Sequence, residues 1–206
     1  MILRVWIISF AAVFLLVINA GAMTLDGGCS IRFFGQSTLH DFDGQVACQP
    51  FIIQTEEGPP GRQVVQPPVV TVRVSEMNTD NTSRDKKMWA MFDHEHFPEI
   101  KGHFVGLDHE LTLEQLTSSE NDEVSLEFDL QIRDTRQHIK AKTTVLTITP
   151  EQIVFIMEFP LSLASFELKP PSVMGIIRVA DEVRVEVQTT LQSQEPLEVS
   201  AAVKER

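Results

Sequence analysis

Several stretches of this chain place an apolar residue at every second position, and no other feature limits the fold as tightly. Leu126, Phe128, Leu130 and Ile132 alternate with Glu127, Asp129, Gln131 and Arg133. Val183, Val185, Val187 and Leu191 oppose Glu182, Arg184, Glu186 and Gln188 in the same way. Ile139, Ala141, Thr143 and Val145 repeat the pattern beyond the turn-like Asp134-Thr135-Arg136, and Val70, Val72 and Val74 show it earlier. Residues 153–159 are apolar enough for a well-buried strand, with Phe155, Met157 and Phe159 on one face. A period of two belongs to a strand with one face in an apolar interior and the other in water.

Strands are expected at 30–36, 42–51, 69–75, 102–107, 124–133, 137–148, 152–160 and 183–191. One-sided antiparallel strands in this number either stack as a sandwich or close as a barrel. Closure removes the edges, and about eight strands make the smallest barrel that holds one slender ligand. Residues 56–61 and 66–68 form one polar, Pro-rich loop and 117–123 another. Residues 192–206 read as a frayed, charged tail, so 193–206 is set apart from the domain as a flexible tail. The sequence shows no internal repeat.

The N-terminal residues set an expected compartment. Residues 1–4 make a short basic start with Arg4, and 5–18 are almost wholly apolar. Ala20-Gly21-Ala22 then places small residues where a signal peptidase reads them. This is the pattern of a signal peptide over 1–22. The apolar run is shorter than the ~20 residues that cross a bilayer, so no membrane span is expected after cleavage. Cys29 lies well beyond that run and lacks the small apolar neighbours of a lipoprotein site. The mature chain is expected to start at Met23, to be periplasmic or secreted, and to form one domain over 23–192.

The formal charge is −12, and loss of Arg4 with the signal makes the mature chain one unit more acidic. Such a surface repels phosphate backbones and anionic lipid headgroups, which argues against nucleic acid as a partner. At 43% hydrophobic the chain has the apolar content of a real core. A ligand is then more readily held by burial of apolar surface than by general attraction.

Cys29 and Cys48 flank two expected neighbouring strands, 30–36 and 42–51, joined around Leu39-His40-Asp41. Antiparallel neighbours bring such positions together, and an oxidising compartment keeps the bond. Closing a loop of this size stabilises by ~3 kcal/mol in the chain-entropy picture. The chain has no Cys-x-x-Cys and no third cysteine, so a structural disulfide is the favoured reading over a redox or metal pair.

Residues 77–100 interrupt the strand pattern. Asp80 or Asn81 caps a helix expected to begin near Thr82, with Met88, Met91 and Phe92 at helical spacing on one face. Pro98 is expected to end it and return the chain to extended structure at 100–104. A short helix of this kind packs naturally on a barrel mouth. Three apolar residues of this kind are more often ordinary core than a ligand box, although Met and aromatic side chains suit a flexible hydrophobic ligand.

The order of several short motifs carries a resemblance. Ser37-Thr38-Leu39-His40-Asp41-Phe42-Asp43-Gly44 comes first, followed by Met77-Asn78-Thr79 and Arg84-Asp85-Lys86-Lys87-Met88. Met91-Phe92 and Phe97-Pro98-Glu99-Ile100 come next, and Phe159, Leu161, Phe166, Pro171-Ser172 and Asp181-Glu182-Val183 complete the series. Over roughly Cys29 to Leu191 the chain resembles the YceI-like family. The resemblance implies an all-β, antiparallel, eight-stranded lipocalin-like barrel with a short helix near one end, exported, with members that bind polyisoprenoid lipids in the lumen. The turn after Leu130 departs from it: Arg133-Asp134-Thr135-Arg136 stands where many members carry a Gly-containing turn. The departure leaves open whether ligand preference transfers, because rim loops set access.

Three functional readings follow. As a lipid carrier, the protein holds a long apolar chain against Phe128, Leu130, Ile132, Phe155, Met157 and Phe159, with Met88, Met91 and Phe92 as a lid. The ligand is then a polyisoprenoid or quinone-like lipid, no other cofactor is assigned, and a homodimer is the protein partner to be tested. The plain alternative is a ligand-free structural or stress barrel filled by these same side chains. As a metal protein, it uses His94 and His96, which in extended structure point the same way, with His40 or His103 joining them. Asp93, Glu95 and Glu99 surround the pair, as is common for exposed histidines, and no metal site is assigned. As an enzyme, it lacks both a Gly-x-Ser-x-Gly elbow and a His-Glu-x-x-His helix, and His40-Asp41 with a distant serine has no spacing that chemistry requires. An enzyme is not expected.

Overall fold

Long ladders build most of the molecule. The structure, a computed structural model, describes residues 24–57, 63–104, 124–170 and 178–194. The signal peptide over 1–22, the loop at 117–123 and the tail from 195 lie outside the described residues. Strand β1 (Thr24–Ser37) pairs antiparallel with the last strand, β10 (Val179–Ser193), along almost its full length. From β10 the sheet runs through β9 (Gln152–Ser162), β8 (Thr135–Ile148), β7 (Val124–Ile132), β6 (Glu99–His103) and β5 (Val69–Arg73), each antiparallel to the one before. The other edge of β1 carries β2 (Phe42–Ala47) on its C-terminal half and β3 (Phe51–Glu57) on its first residues.

β2 and β3 therefore make one interrupted stave, and the barrel has the expected eight. The expected strand at 42–51 splits because Pro50 has no N–H to donate to a ladder. Three residues of the Pro-rich loop form an unexpected short strand, β4 (Gln63–Val65), paired with β3. β6 starts at Glu99, directly after Pro98 and ahead of the expected 102. Between the stave of β2 and β3 and strand β5 the barrel is only nearly closed. An isolated bridge joins Gln45 and Asn78 through bonds of 2.8 and 3.0 Å, and the Gln49 N–H donates to the Thr71 carbonyl at 2.8 Å.

The alternation sorts as expected. Leu126, Phe128, Leu130 and Ile132 on β7, Phe155, Met157 and Phe159 on β9, and Val185, Val187 and Leu191 on β10 are all buried. Cys29 lies within β1 and bonds to Cys48, just past β2, with Cα atoms 5.3 Å apart. Two glycines set the spacing of the adjoining stave. A Cβ on Gly44 would meet the Phe33 ring, and one on Gly35 would meet the Phe42 ring, so aromatic rings occupy the space both leave free.

Helix α1 (Thr82–Met91) starts as the capping rule requires: the Asn81 side chain accepts the Arg84 N–H at 3.1 Å. Its end is earlier than expected. The Asp93 N–H donates to the Ala90 carbonyl at 3.1 Å and the His94 N–H to the Trp89 carbonyl at 3.2 Å. With Asp93 at φ 53°, this is a Schellman cap in which aspartate stands where glycine is usual. Pro98 is therefore not the stop.

Two side chains clip α1 to the segment before it. Buried Asp85 accepts the Thr79 N–H at 2.9 Å and its hydroxyl at 2.6 Å, while the Trp89 indole N–H donates to the Met77 carbonyl at 3.0 Å. No helix among the described residues is long and apolar enough to cross a membrane.

Candidate functional site

The inward faces of the strands do not meet at the barrel axis; they enclose a cavity of about 720 Å³. Its volume lies within the range of small-molecule sites, ~300–1,000 Å³. All nine side chains singled out from the sequence line it: Met88 and Met91 from α1 with Phe92 at its C-cap, Phe128, Leu130 and Ile132 from β7, and Phe155, Met157 and Phe159 from β9. Met88 and Phe92 are buried and Met91 is partly so, which places α1 across one end of the barrel. The Phe128 and Phe159 rings meet edge to face at 5.4 Å, and Phe104 packs on Phe128 at 5.2 Å.

Other parts of the wall carry lining residues that the sequence reading did not assign. β1 contributes Cys29, Ile31 and Phe33, β2 Val46, and β10 Val183, Val185 and Val187. Alternation in Ile31-x-Phe33 and Val46-x-Cys48 was the available signal for the first two. β10 also contributes Thr189, a hydroxyl-bearing residue that is 4% exposed.

The two ends of the cavity differ in chemistry. Leu25, Ile153 and Leu191, each 1% exposed, pack at the end away from α1. At the α1 end the lining turns polar, with Ser37 from the end of β1, His40 and Asp41 from the loop before β2, Asn81 from the helix N-cap, and Arg84 and Lys87 from the helix. No periodicity marks these residues, because loop and helix meet only in space. The Arg84 guanidinium lies over the Phe42 ring, 5.0 Å from its centre. The Ser37 hydroxyl donates to the His40 carbonyl at 2.6 Å and accepts the His40 N–H at 3.2 Å, so it braces the rim loop.

His94, His96, His103 and His138 each have a neighbour of their own. His94 and His96 lie in the turn after α1, so the extended geometry that would aim both the same way is absent. The His94 ring tilts over Trp89 at 5.9 Å, and His96 Nδ1 sits 2.8 Å from an Asp93 carboxylate oxygen. That hydrogen bond and the Asp93 charge raise the His96 pKa above its ordinary value. His103 Nε2 lies 3.4 Å from an Arg136 nitrogen. On the outer face of β8, His138 faces Asp129 at 3.0 Å and Glu127 at 3.4 Å, a placement the sequence reading missed. The hydrogen bond to Asp129, followed by that to Glu127, raises its pKa. Among the described residues no cluster of three or more His, Cys, Asp or Glu is set to hold a metal ion.

The sequence matches a family model described as the YceI-like domain over residues 30–191. The chain belongs to the YceI-like family. Three solved structures share the fold of this YceI-like chain. Burkholderia cenocepacia BcnA aligns at a TM-score of 0.58 with 13% identity, covering 79% of this chain and 95% of that one. A polyisoprenoid binding domain from Saccharophagus degradans, implicated in plant cell wall breakdown, gives 0.56 with 10% identity and coverage of 84% and 98%. The Campylobacter jejuni YCEI protein gives 0.54 with 12% identity and coverage of 77% and 88%. At these identities the likeness is one of fold. No curated protein matches the chain.

Proposed function

We propose that this YceI-like protein is an exported, non-enzymatic carrier that holds one hydrophobic lipid, of isoprenoid or quinone-like type, in its barrel lumen. The observation that carries the reading is the 720 Å³ cavity, walled by Phe, Met, Leu, Ile and Val side chains. The likeness to a polyisoprenoid binding domain supports the ligand class. The signal-like N-terminus and the Cys29–Cys48 disulfide support export. An isoprenoid chain in the lumen gains ~25 cal/mol for each Å² of apolar surface removed from water. Met side chains on α1 adapt to a ligand without a single rigid shape.

Native mass spectrometry of the purified mature protein, with organic extraction of the same sample, tests this. A bound lipid, or one-to-one uptake of an added prenol, is expected. A lipid-free barrel that takes up no added prenol overturns the reading.

A further inference from the structure

A formal charge of −12 should keep this protein off anionic surfaces. The outer face around the cavity mouth departs from that balance. The exposed positions of α1 are Thr82, Ser83, Lys86, Lys87 and Ala90, and the one acid of the helix, Asp85, is turned inward and held by Thr79. Half-buried Arg84 lies over the Phe42 ring and so ties this helix face to the loop before β2. The same loop is bonded to exposed Arg178. The Thr38 N–H donates to the Arg178 carbonyl at 3.0 Å, and the Arg178 N–H donates to the Thr38 hydroxyl at 3.1 Å. The next residue, Leu39, is 60% exposed and lines the cavity.

Among the described residues Arg84, Lys86, Lys87 and Arg178 form no ion pair, whereas Arg32, Arg73, Lys101, Lys140 and Arg184 elsewhere on the barrel all do. A lone exposed leucine needs no explanation of its own. One held among unpaired cations has the make-up of a membrane-surface contact, with charges for anionic headgroups and an apolar tip for the layer beneath.

We propose that this face docks the protein on an anionic lipid bilayer, with Arg84, Lys86, Lys87 and Arg178 against the headgroups and Leu39 dipping between them. Asp41 on the loop and Asp80 just before α1 oppose the attraction, so docking is weak and reversible. It sets the cavity mouth against the bilayer, where an apolar chain can pass between the two with little exposure to water. Docking rests on these surface residues alone, while its use in loading the lumen rests on the lumen being the lipid site.

Co-sedimentation of the mature protein with vesicles tests this, with pure phosphatidylcholine set against an equal mixture of phosphatidylcholine and phosphatidylglycerol. At low salt the mixed vesicles are expected to bind about tenfold more tightly, a preference that fades as salt rises. The Lys86→Gln/Lys87→Gln double variant is expected to lose most of it. Leu39→Ser is expected to weaken binding to the mixed vesicles by about threefold. Asp41→Asn is expected to strengthen that binding, a gain that a poorly folded variant does not show. In Leu39→Trp, the added indole emission is expected to shift to the blue on the mixed vesicles and not on the neutral ones. Equal binding to both vesicles, binding to neither, as for a patch that serves an acidic protein instead, or an undiminished preference in the double variant overturns the docking proposal. Each of these results leaves the lumen reading standing. Docking without any lipid in the barrel overturns the lumen reading and leaves the docking face in place.

Discussion

The wall made by β1, β10, β9 and β8 and the seam opposite it are built on different scales. The wall strands run 14, 15, 11 and 14 residues in long ladders, with register shifts only between Gly35 and Ser37 and between Val145 and Thr147. At the seam, strands of 6, 7 and 5 residues are bridged by a few backbone bonds at Gln45, Gln49, Thr71 and Asn78. Each residue added to a paired ladder buries apolar surface and satisfies backbone groups together, so cooperativity follows length. The wall is therefore the part that holds the fold, whereas the seam and α1 form the part able to open at lower cost. Every residue of the polar mouth except Ser37 belongs to that second part.

Four experiments probe this contrast. Ile153, 1% exposed in the wall, is expected to show the largest effect: Ile153→Ala should cost about 4 kcal/mol in denaturant unfolding. The disulfide comes next, because it staples the interrupted stave to the wall. Replacing Cys29 and Cys48 with serine should cost about 3 kcal/mol and raise amide exchange in β2 more than in β9. Asp85→Ala removes the buried acceptor of Thr79 and should cost about 2 kcal/mol. In that variant, amide exchange should rise at Asn78 and Gln45 while β9 and β10 stay protected. Equal loss of protection in the wall would mean that seam and wall open as one unit.

The smallest effect is a pH dependence. The folded pKa values of His138 on the wall and His96 beside α1 are both raised by carboxylate partners. Their stabilisation is present in full below the ordinary histidine pKa of about 6.5 and is lost as pH rises through the raised values. Melting temperature should fall slightly over that window, and less in His138→Gln. Imidazole titration by NMR should give both histidines midpoints above 6.5.

Most of the wall was legible because alternation is a local signal. Phe155, Met157 and Phe159 need no partner to declare a face. Its ends were less so. Asn81 marks the start of α1 by its side chain, but aspartate in a left-handed conformation at 93 hides the stop, and Pro98 draws the eye to a later one. The parity of His94 and His96 points to a shared direction only in extended chain, and the Schellman cap turns that segment instead. β4 is too short for a period to register beside Pro67 and Pro68. Family resemblance singled out Asn78, Thr79 and Asp85, whose roles in the structure are a bridge to Gln45 and a clip on α1. The polar mouth was invisible, since Asp41 and Arg84 come from a loop and a helix that only the closed barrel brings together.

Gly35 has a reach beyond its own strand. The Phe42 ring rests against its bare Cα, and the Arg84 guanidinium rests on that ring. The three form a column from β1 through the rim to the helix, and the absent side chain sets its height. One methyl group added at the base would lift the ring and shift the cation above it, so a substitution in the wall would reach the cavity mouth without touching it.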